Sequence, residues 1–313
     1  MEAPMRLSDR IGRRVKLQDL HVLMTVVQAR SMGKAAQLLN TTQPNVSRSI
    51  AELEHALGVR LLDRHRQGIE PTDYGRAFLE GSIAAFDELR QAVKSIEYLA
   101  DPTSGEVRIG CQPFLAGSLV STVINRVSRR YPRIVFHVVA NDTHMLDREL
   151  RERNLDFLIT RRFGTLADES LGFEALYDDP LVIAAGRRNP LVRRRGVKLA
   201  ELVNEPWALP AKENPFGAIV AEAFRVNGLE YPRITVVTGH NELRESLLAT
   251  GRFLTIFAKS IFGFSAKRAQ LRALSIQLPV AHMPVGIFTL KNRTLSPVAQ
   301  LFIQHTRDIA RAT

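Results

Sequence analysis

The stretch from Ser31 to Leu57, SMGKAAQLLNTTQPNVSRSIAELEHAL, constrains this chain more than any other. Its spacing predicts two short helices joined by a tight turn. Ser31 is placed to cap the first helix, whose inner side carries the small residues Ala35 and Ala36 together with Leu39. Asn40 then tolerates the left-handed backbone of a sharp turn. Thr42 is placed to cap the second helix, and Pro44 falls in its first turn, where a missing N–H costs nothing. Val46, Ile50, Leu53 and Leu57 recur at intervals of four, three and four, which defines one buried stripe. The opposite face presents Gln43, Asn45, Ser47 and Arg48. Gln and Asn pair with adenine, Arg with guanine or phosphate and Ser with either, so this face is suited to a major groove.

An ordinary helical hairpin with a solvated polar face has the same pattern, and the sequel separates the two. Leu57-Gly58 ends the second helix, and Arg60 to Thr72 reads as a short basic hairpin turning at Gln67-Gly68. Arg64 and Arg66 are set there for phosphates or a minor groove. Ser31 and Lys34, at the start of the first helix, join Gln43, Pro44, Asn45, Ser47, Arg48, Arg64 and Arg66 as candidate DNA contacts.

Ala35-Ala36, Gln43-Pro44-Asn45-Val46-Ser47-Arg48, Leu53-Glu54-His55-Ala56-Leu57-Gly58, Arg60-Leu61-Leu62-Asp63-Arg64 and Pro71-Thr72-Asp73-Tyr74-Gly75 follow one another in register. Residues 17 to about 75 thereby resemble the N-terminal domain of LysR-type transcriptional regulators. The departures are Arg30 where a Gly usually precedes Ser31, Leu23 and Leu62 where Phe is common, and Thr42 in place of Ser. They are packing or capping swaps that leave the reading face intact.

The 313 residues suffice for two or three domains with proper cores. The net charge of +11 invites a nucleic-acid reading, but its distribution limits that argument. From Arg6 to Arg66 eleven Lys/Arg face five Asp/Glu, and from Gln67 to Ala100 three face six. The remaining excess lies beyond residue 100, so only the N-terminal share supports DNA binding. Within that share, residues 6–16 form an arm that either lies along phosphates or is solvated. Arg187-Arg188 and Arg193-Arg194-Arg195 read as a solvated surface loop. No run approaches the roughly twenty apolar residues of a membrane helix, and residues 1–16 lack the apolar core of a signal peptide, so a cytoplasmic protein without a membrane partner is expected. The single cysteine, Cys111, excludes an intrachain disulfide.

A helix from Leu17 to Ala29 is expected to bury Leu20, Leu23 and Val27 and complete a three-helix core. After the wing, Thr72 caps a long helix reaching about Leu99. Phe78, Ser82, Ala85, Leu89, Ala92, Ile96 and Leu99 form either a heptad seam between two chains or a face packed on its own domain. Resemblance favours the seam, because the corresponding helix is the dimerisation element of LysR-type regulators. A dimer sets two recognition helices on a double-stranded operator of imperfect two-fold symmetry.

Beyond the linker Asp101 to Gly105, short apolar strands alternate with amphipathic helices, which predicts mainly parallel sheets covered on both faces. Strands are expected near 107–110, 135–139, 157–160, 181–185, 207–209, 235–238 and 254–257, and further strands near 274–278 and 285–290 are expected to return to the first sheet. The fold class expected is α/β: a winged helix-turn-helix (residues 1–72), a linker helix (73–100), and a doubly wound effector domain of two subdomains like a periplasmic binding protein. Residues 105–162 with 268–313 form its first subdomain and 163–267 its second. The two-subdomain plan is what the resemblance implies; Tyr131-Pro132 and Leu155-Asp156-Phe157 are its best local matches.

In such sheets ligands bind beyond the carboxyl ends of the strands. That rule picks out Gln112, Pro113 and Phe114, then Asn141 and Thr143, then Thr160, Arg161 and Arg162, with Pro210, Lys212 and Phe216 from the second subdomain and Phe253 on the wall. Arg161-Arg162 is expected where the chain leaves one subdomain for the other. The pair either clamps an anion, such as a carboxylate or phosphate, or supplies exposed hinge charges. The expected effector is a small molecule, a carboxylate, a sugar or a sugar acid, with no cofactor. No metal-ligand spacing or nucleophile motif appears, and Cys111 reads as a small strand-end residue or a redox-sensitive thiol at a cleft lip. A regulator acting as a homodimer or tetramer, with RNA polymerase as a further partner by resemblance, therefore competes with a solute-binding protein or small enzyme carrying an incidental helical domain.

Overall fold

The computed structural model describes residues 14–65, 68–162, 169–264, 270–276, 278 and 284–311. The chain divides into two compact units, residues 1–93 and 94–313.

The first unit contains helices α1 (Leu17–Ala29), α2 (Met32–Leu38) and α3 (Gln43–Leu57), then a two-stranded wing, β1 (Leu62–His65) and β2 (Gly68–Pro71), and most of α4 (Asp73–Ala100). Val46, Ile50, Leu53 and Leu57 are all buried, as their spacing predicts. In α1 the deep positions are Leu23 and Val26, and Val27 is only half-buried, because the inward stripe steps by three from Leu20. Ala35 and Ala36 leave room for the helices to approach; substituting Leu53 by Ala removes about 2–5 kcal/mol of core stability.

Local hydrogen bonds explain why this sequence folds so. The Ser31 hydroxyl accepts the Lys34 N–H, and Asn40 sits at φ 50° in the turn. Thr42 occupies the cap position of α3, but its hydroxyl makes no cap bond, so the start rests on backbone and on proline in the first turn. Arg30 closes α1 at φ 52°, a conformation costing a non-glycine residue about 1 kcal/mol. Its carbonyl accepts the Ile69 N–H at 3.1 Å and so holds β2 against the corner. One carboxylate oxygen of Glu54 accepts the N–H groups of Leu61 (2.7 Å) and Leu62 (3.1 Å), tying the end of α3 to the wing. Thr72 donates to the Arg60 carbonyl at 2.7 Å and accepts the Gly75 N–H at 3.0 Å. Gly75 must be glycine, because a Cβ there would lie 2.0 Å from the Leu61 carbonyl oxygen.

The second unit holds two five-stranded sheets. The first is built from β3 (Ser104–Cys111), β4 (Arg133–Ala140), β5 (Phe157–Arg161), β6 (Leu171–Asp178) and a strand from the chain's end, Pro284–Leu290, in the order β4, β3, β5, end strand, β6. Helices α5 (Pro113–Leu115) and α6 (Ser121–Arg130), joined by a π-helical turn at Ala116–Val120, follow β3; α7 (Thr143–Arg151) follows β4. β3, β4 and β5 run parallel, and the end strand is antiparallel to both neighbours.

The second sheet contains β7 (Leu181–Gly186), β8 (Trp207–Leu209), β9 (Ile234–Val237), β10 (Leu254–Ala258) and β11 (Leu271–Ala273), in the order β11, β7, β10, β8, β9. Its helices are α8 (Pro215–Val226), α9 (Asn241–Ala249) and α10 (Ile261–Phe264), the last lying against the π-helical turn of the first subdomain. The end strand Pro284–Leu290 is β12, and α11 (Pro297–Arg311) closes the first sheet with Phe302 fully buried beside Phe157 and Phe136.

Two subdomain boundaries differ from the sequence expectation. Arg161-Arg162 is not the crossing point, because Leu171–Asp178 returns as β6 to the edge of the first sheet, and the chain crosses at Asp179-Pro180. Residues 274–278 do not rejoin the first sheet: β11 pairs with β7, and Leu274, Ile276 and Leu278 pack into the second core. The chain is therefore still in the second subdomain at Leu278 and back in the first sheet at Pro284, rather than crossing at residue 268.

Candidate DNA-reading surface and effector cleft

On the first unit, the core stripe of α3 turns the opposite face outward. Gln43, Pro44, Asn45 and Arg48 are exposed, as is Lys34, while Ser31 and Ser47 are half-buried. Asn45 donates to the Thr41 hydroxyl at 3.3 Å, which orients its amide, and Ser49 donates to Asp19 at 2.8 Å, which anchors the helix to α1. Among the described residues neither Arg48 nor Arg64 forms an ion pair. Both guanidiniums stay solvated and available to an anionic partner. Arg64 stands exposed on β1; Arg66 and the turn residue Gln67 lie outside the described residues.

On the second unit, β3 and β4 end level at Cys111 and Ala140 and β5 runs two residues further to Arg161, with β12 beginning and β6 ending at the same edge. Gln112 ties this edge together. Its amide donates to the Thr143 hydroxyl at 3.1 Å, and its carbonyl oxygen accepts the Arg161 N–H at 3.0 Å. The Asn141 side-chain oxygen accepts the Asp142 N–H at the start of α7, and Phe114 lies half-buried after Pro113. Thr160 is buried inside the sheet. From the second sheet, Pro210 is buried beyond β8 and Phe216 is half-buried in the first turn of α8. The loop between them is tight, since a Cβ at Gly217 would lie 1.9 Å from the Ala211 carbonyl oxygen. The Lys212 ammonium rests over Tyr231 at 4.4 Å.

Arg161 is not a free clamp. It is 3% exposed, its guanidinium bonds the Asp179 carboxylate at 2.7 Å, and it stacks on Phe114 at 4.8 Å. Asp179 also accepts the Ser260 N–H at 2.9 Å and the Ser260 hydroxyl at 2.6 Å. This carboxylate in the crossing segment thus bonds a residue of the first sheet and the residue two beyond β10 of the second. Burial pulls the Arg161 pKa down, and Asp179 opposes that pull. Arg162 lies over Phe173 at 4.8 Å.

Phe253 does not line this edge. It precedes β10, whose first residue pairs in parallel with Trp207 at the start of β8, so it sits at the opposite end of the sheet, packed with Leu248, Phe257 and Leu271. Cys111 is fully buried, and desolvation pushes its thiol up to about 12, which removes the thiolate that redox chemistry needs.

The LysR substrate binding domain profile matches residues 100–311, and that of the bacterial regulatory helix-turn-helix protein, lysR family, matches residues 17–76. The chain belongs to the LysR family. Among its relatives, the HTH-type transcriptional regulator GbpR of Azospirillum brasilense is 27% identical, covering 92% of this chain and 84% of that protein. The regulator PcaQ of Agrobacterium fabrum is 25% identical, covering 96% of each. Two solved structures share the fold. A full-length OxyR variant from Pseudomonas aeruginosa superposes with TM-score 0.63 at 20% identity over 95% of each chain. Full-length CbnR in complex with target DNA gives 0.55 at 21% identity, over 95% of this chain and all of that one.

This LysR-family protein is accordingly a DNA-binding transcriptional regulator with a substrate-binding-type domain, not an enzyme. Among the described residues no helix is long and apolar enough to cross a membrane. The Asp156 of its Leu155-Asp156-Phe157 motif has a structural reason: the carboxylate accepts the Arg108 N–H at 2.8 Å and pairs with buried Arg293 at 3.3 Å. Sequence reasoning missed Asp179, Ser260 and Arg244. Asp-Pro before an apolar run at Asp179-Pro180 was the one local signal of a crossing segment.

Proposed function

We propose that this regulator reads a double-stranded operator through Gln43, Asn45, Ser47 and Arg48 of α3, with Ser31, Lys34 and Arg64 on flanking phosphates. A small molecule in the cleft beyond Gln112, Phe114, Thr143 and Phe216 adjusts that binding. The observation that carries the reading is the largely exposed polar face, with Arg48 free of ion pairs among the described residues, of a helix whose other side is core. Two copies pair through α4. Phe78 packs on the first core, whereas Leu89, Val93, Ile96 and Leu99 are exposed, the last at 81%. An apolar stripe of that length left in water supports a coiled-coil partner of the same kind. A dimer, or a tetramer of such dimers, matches an operator of imperfect two-fold symmetry, and bound beside a promoter in the cytoplasm it stands ready to contact RNA polymerase.

A mobility-shift titration on the DNA upstream of this protein's own gene, at fixed salt and with a panel of organic acids and sugars, tests the reading. Specific retention that a panel member alters supports it. Sequence-blind, salt-sensitive retention indifferent to every compound contradicts it.

A further inference from the structure

Resting on the reading that a small molecule occupies the cleft, we propose that this molecule is an organic anion whose carboxylate is held by Arg244, between the first turns of α8 and α9. Arg244 is 5% exposed. Its guanidinium donates to the Ile256 carbonyl at 3.1 Å, to the Thr255 hydroxyl at 3.4 Å and to the Asn241 side-chain oxygen, and its Nε is buried with no partner. Every one of these acceptors is neutral. Among the described residues no carboxylate lies within ion-pairing distance, whereas buried Arg161 has Asp179 and buried Arg293 has Asp156. Burial pulls the Arg244 pKa down to about 10, with the charge of Glu245 beyond ion-pairing distance opposing the pull, which leaves Arg244 a cation at neutral pH.

A buried cation without a counter-ion is costly, and an arriving carboxylate recovers that cost through charge-assisted hydrogen bonds. The surroundings suit such a guest. Asn241 follows β9 and Phe216 follows β8, so the guanidinium, bonded to Thr255 and Ile256 inside β10, lies beneath the loops at the carboxyl edge of the second sheet. The first turns of α8 and α9 both approach it, and each carries partial positive charge. The rings of Phe257 at 4.7 Å and Phe216 at 5.9 Å flank it, and half-buried Phe216 offers an apolar wall to the body of the acid. The anion seat thus belongs to Arg244 rather than to Arg161, whose charge Asp179 already neutralises.

The test titrates the full chain with benzoate, benzamide and inorganic phosphate at constant ionic strength, following thermal unfolding and binding heat. Benzoate is expected to stabilise the wild type and benzamide not. Arg244→Gln weakens benzoate at least about tenfold. Arg244→Met melts at or above the wild type without ligand, because a buried unpaired charge is gone, and loses the benzoate response. Benzoate stabilisation unchanged in both variants, or absent from the wild type, overturns the proposal. Phosphate acting as strongly as benzoate through Arg244 overturns its organic body. Benzoate binding that needs Arg244 yet never alters operator retention keeps the anion seat and contradicts the regulatory reading. A neutral compound that alters operator retention equally in Arg244→Gln does the reverse.

Discussion

The arginines of the two units live in opposite environments. On the helix-turn-helix unit, Arg48 and Arg64 stand in water without ion pairs, where a charge is cheap to keep and free to meet phosphate or a base edge. In the effector unit, Arg161, Arg244 and Arg293 are buried, and two of them are neutralised by a specific aspartate. The difference teaches that position in the fold, not residue type, decides whether an arginine is a contact or a strut. Removing an exposed arginine should leave the fold alone and change affinity. Removing the partner of a buried one should do the reverse.

The largest effect belongs to the buried side. Asp179→Ala leaves Arg161 buried and unpaired, and urea unfolding should show a loss of about 3–5 kcal/mol. Adding Arg161→Met should restore much of it, and a double mutant no better than the single would break the comparison. Next comes Gly75→Ala in the first unit, where the new Cβ meets the Leu61 carbonyl; thermal unfolding should register about 1–3 kcal/mol. On the exposed side, Arg64→Ala should change stability by less than about 0.5 kcal/mol. The slope of operator affinity against salt should fall by about 1, and an unchanged slope would remove Arg64 from the phosphates.

The effect of Cys111 is confined to alkaline pH and is the smallest at neutral pH. Its thiol is raised from 9.0 to about 12 in the folded chain, so the unfolded chain ionises first as pH rises. The stability this group contributes is present below pH 9.0 and lost as pH climbs towards about 12. Cys111→Ala should flatten the alkaline limb of a stability profile measured across that window, and rapid alkylation of the native thiol at neutral pH would contradict its burial.

What was legible in the sequence follows from the range of the contacts involved. The helix-turn-helix could be read because its information is local: the stripe Val46 to Leu57, the cap at Ser31 and the turn at Asn40 act within a few residues. Strand β6 was illegible because its apolar residues serve two cores, Leu171 and Phe173 in one and Leu176 and Tyr177 in the other, and a register shift opposite Val285-Gly286 interrupts its alternation. Phe253 lies away from the cleft because it precedes β10, which runs parallel to β8, and nothing local in the sequence gives that direction. Asp179 could not be paired with Arg161 and Ser260 from sequence, since they lie 18 and 81 residues away. Arg244 carries no local signal in the sequence, and only the packing of α9 on β10 buries it.

The most direct test of the account is the specificity ratio of the full chain, its affinity for duplex DNA from its own upstream region over that for a scrambled duplex, measured by fluorescence anisotropy at two salt concentrations for the wild type and Arg48→Ala. The account predicts a wild-type ratio well above one at both salts, and a loss of about 1–3 kcal/mol of discrimination in the variant with unchanged thermal stability. A ratio of one for both proteins, with affinity that simply collapses as salt rises, would contradict it.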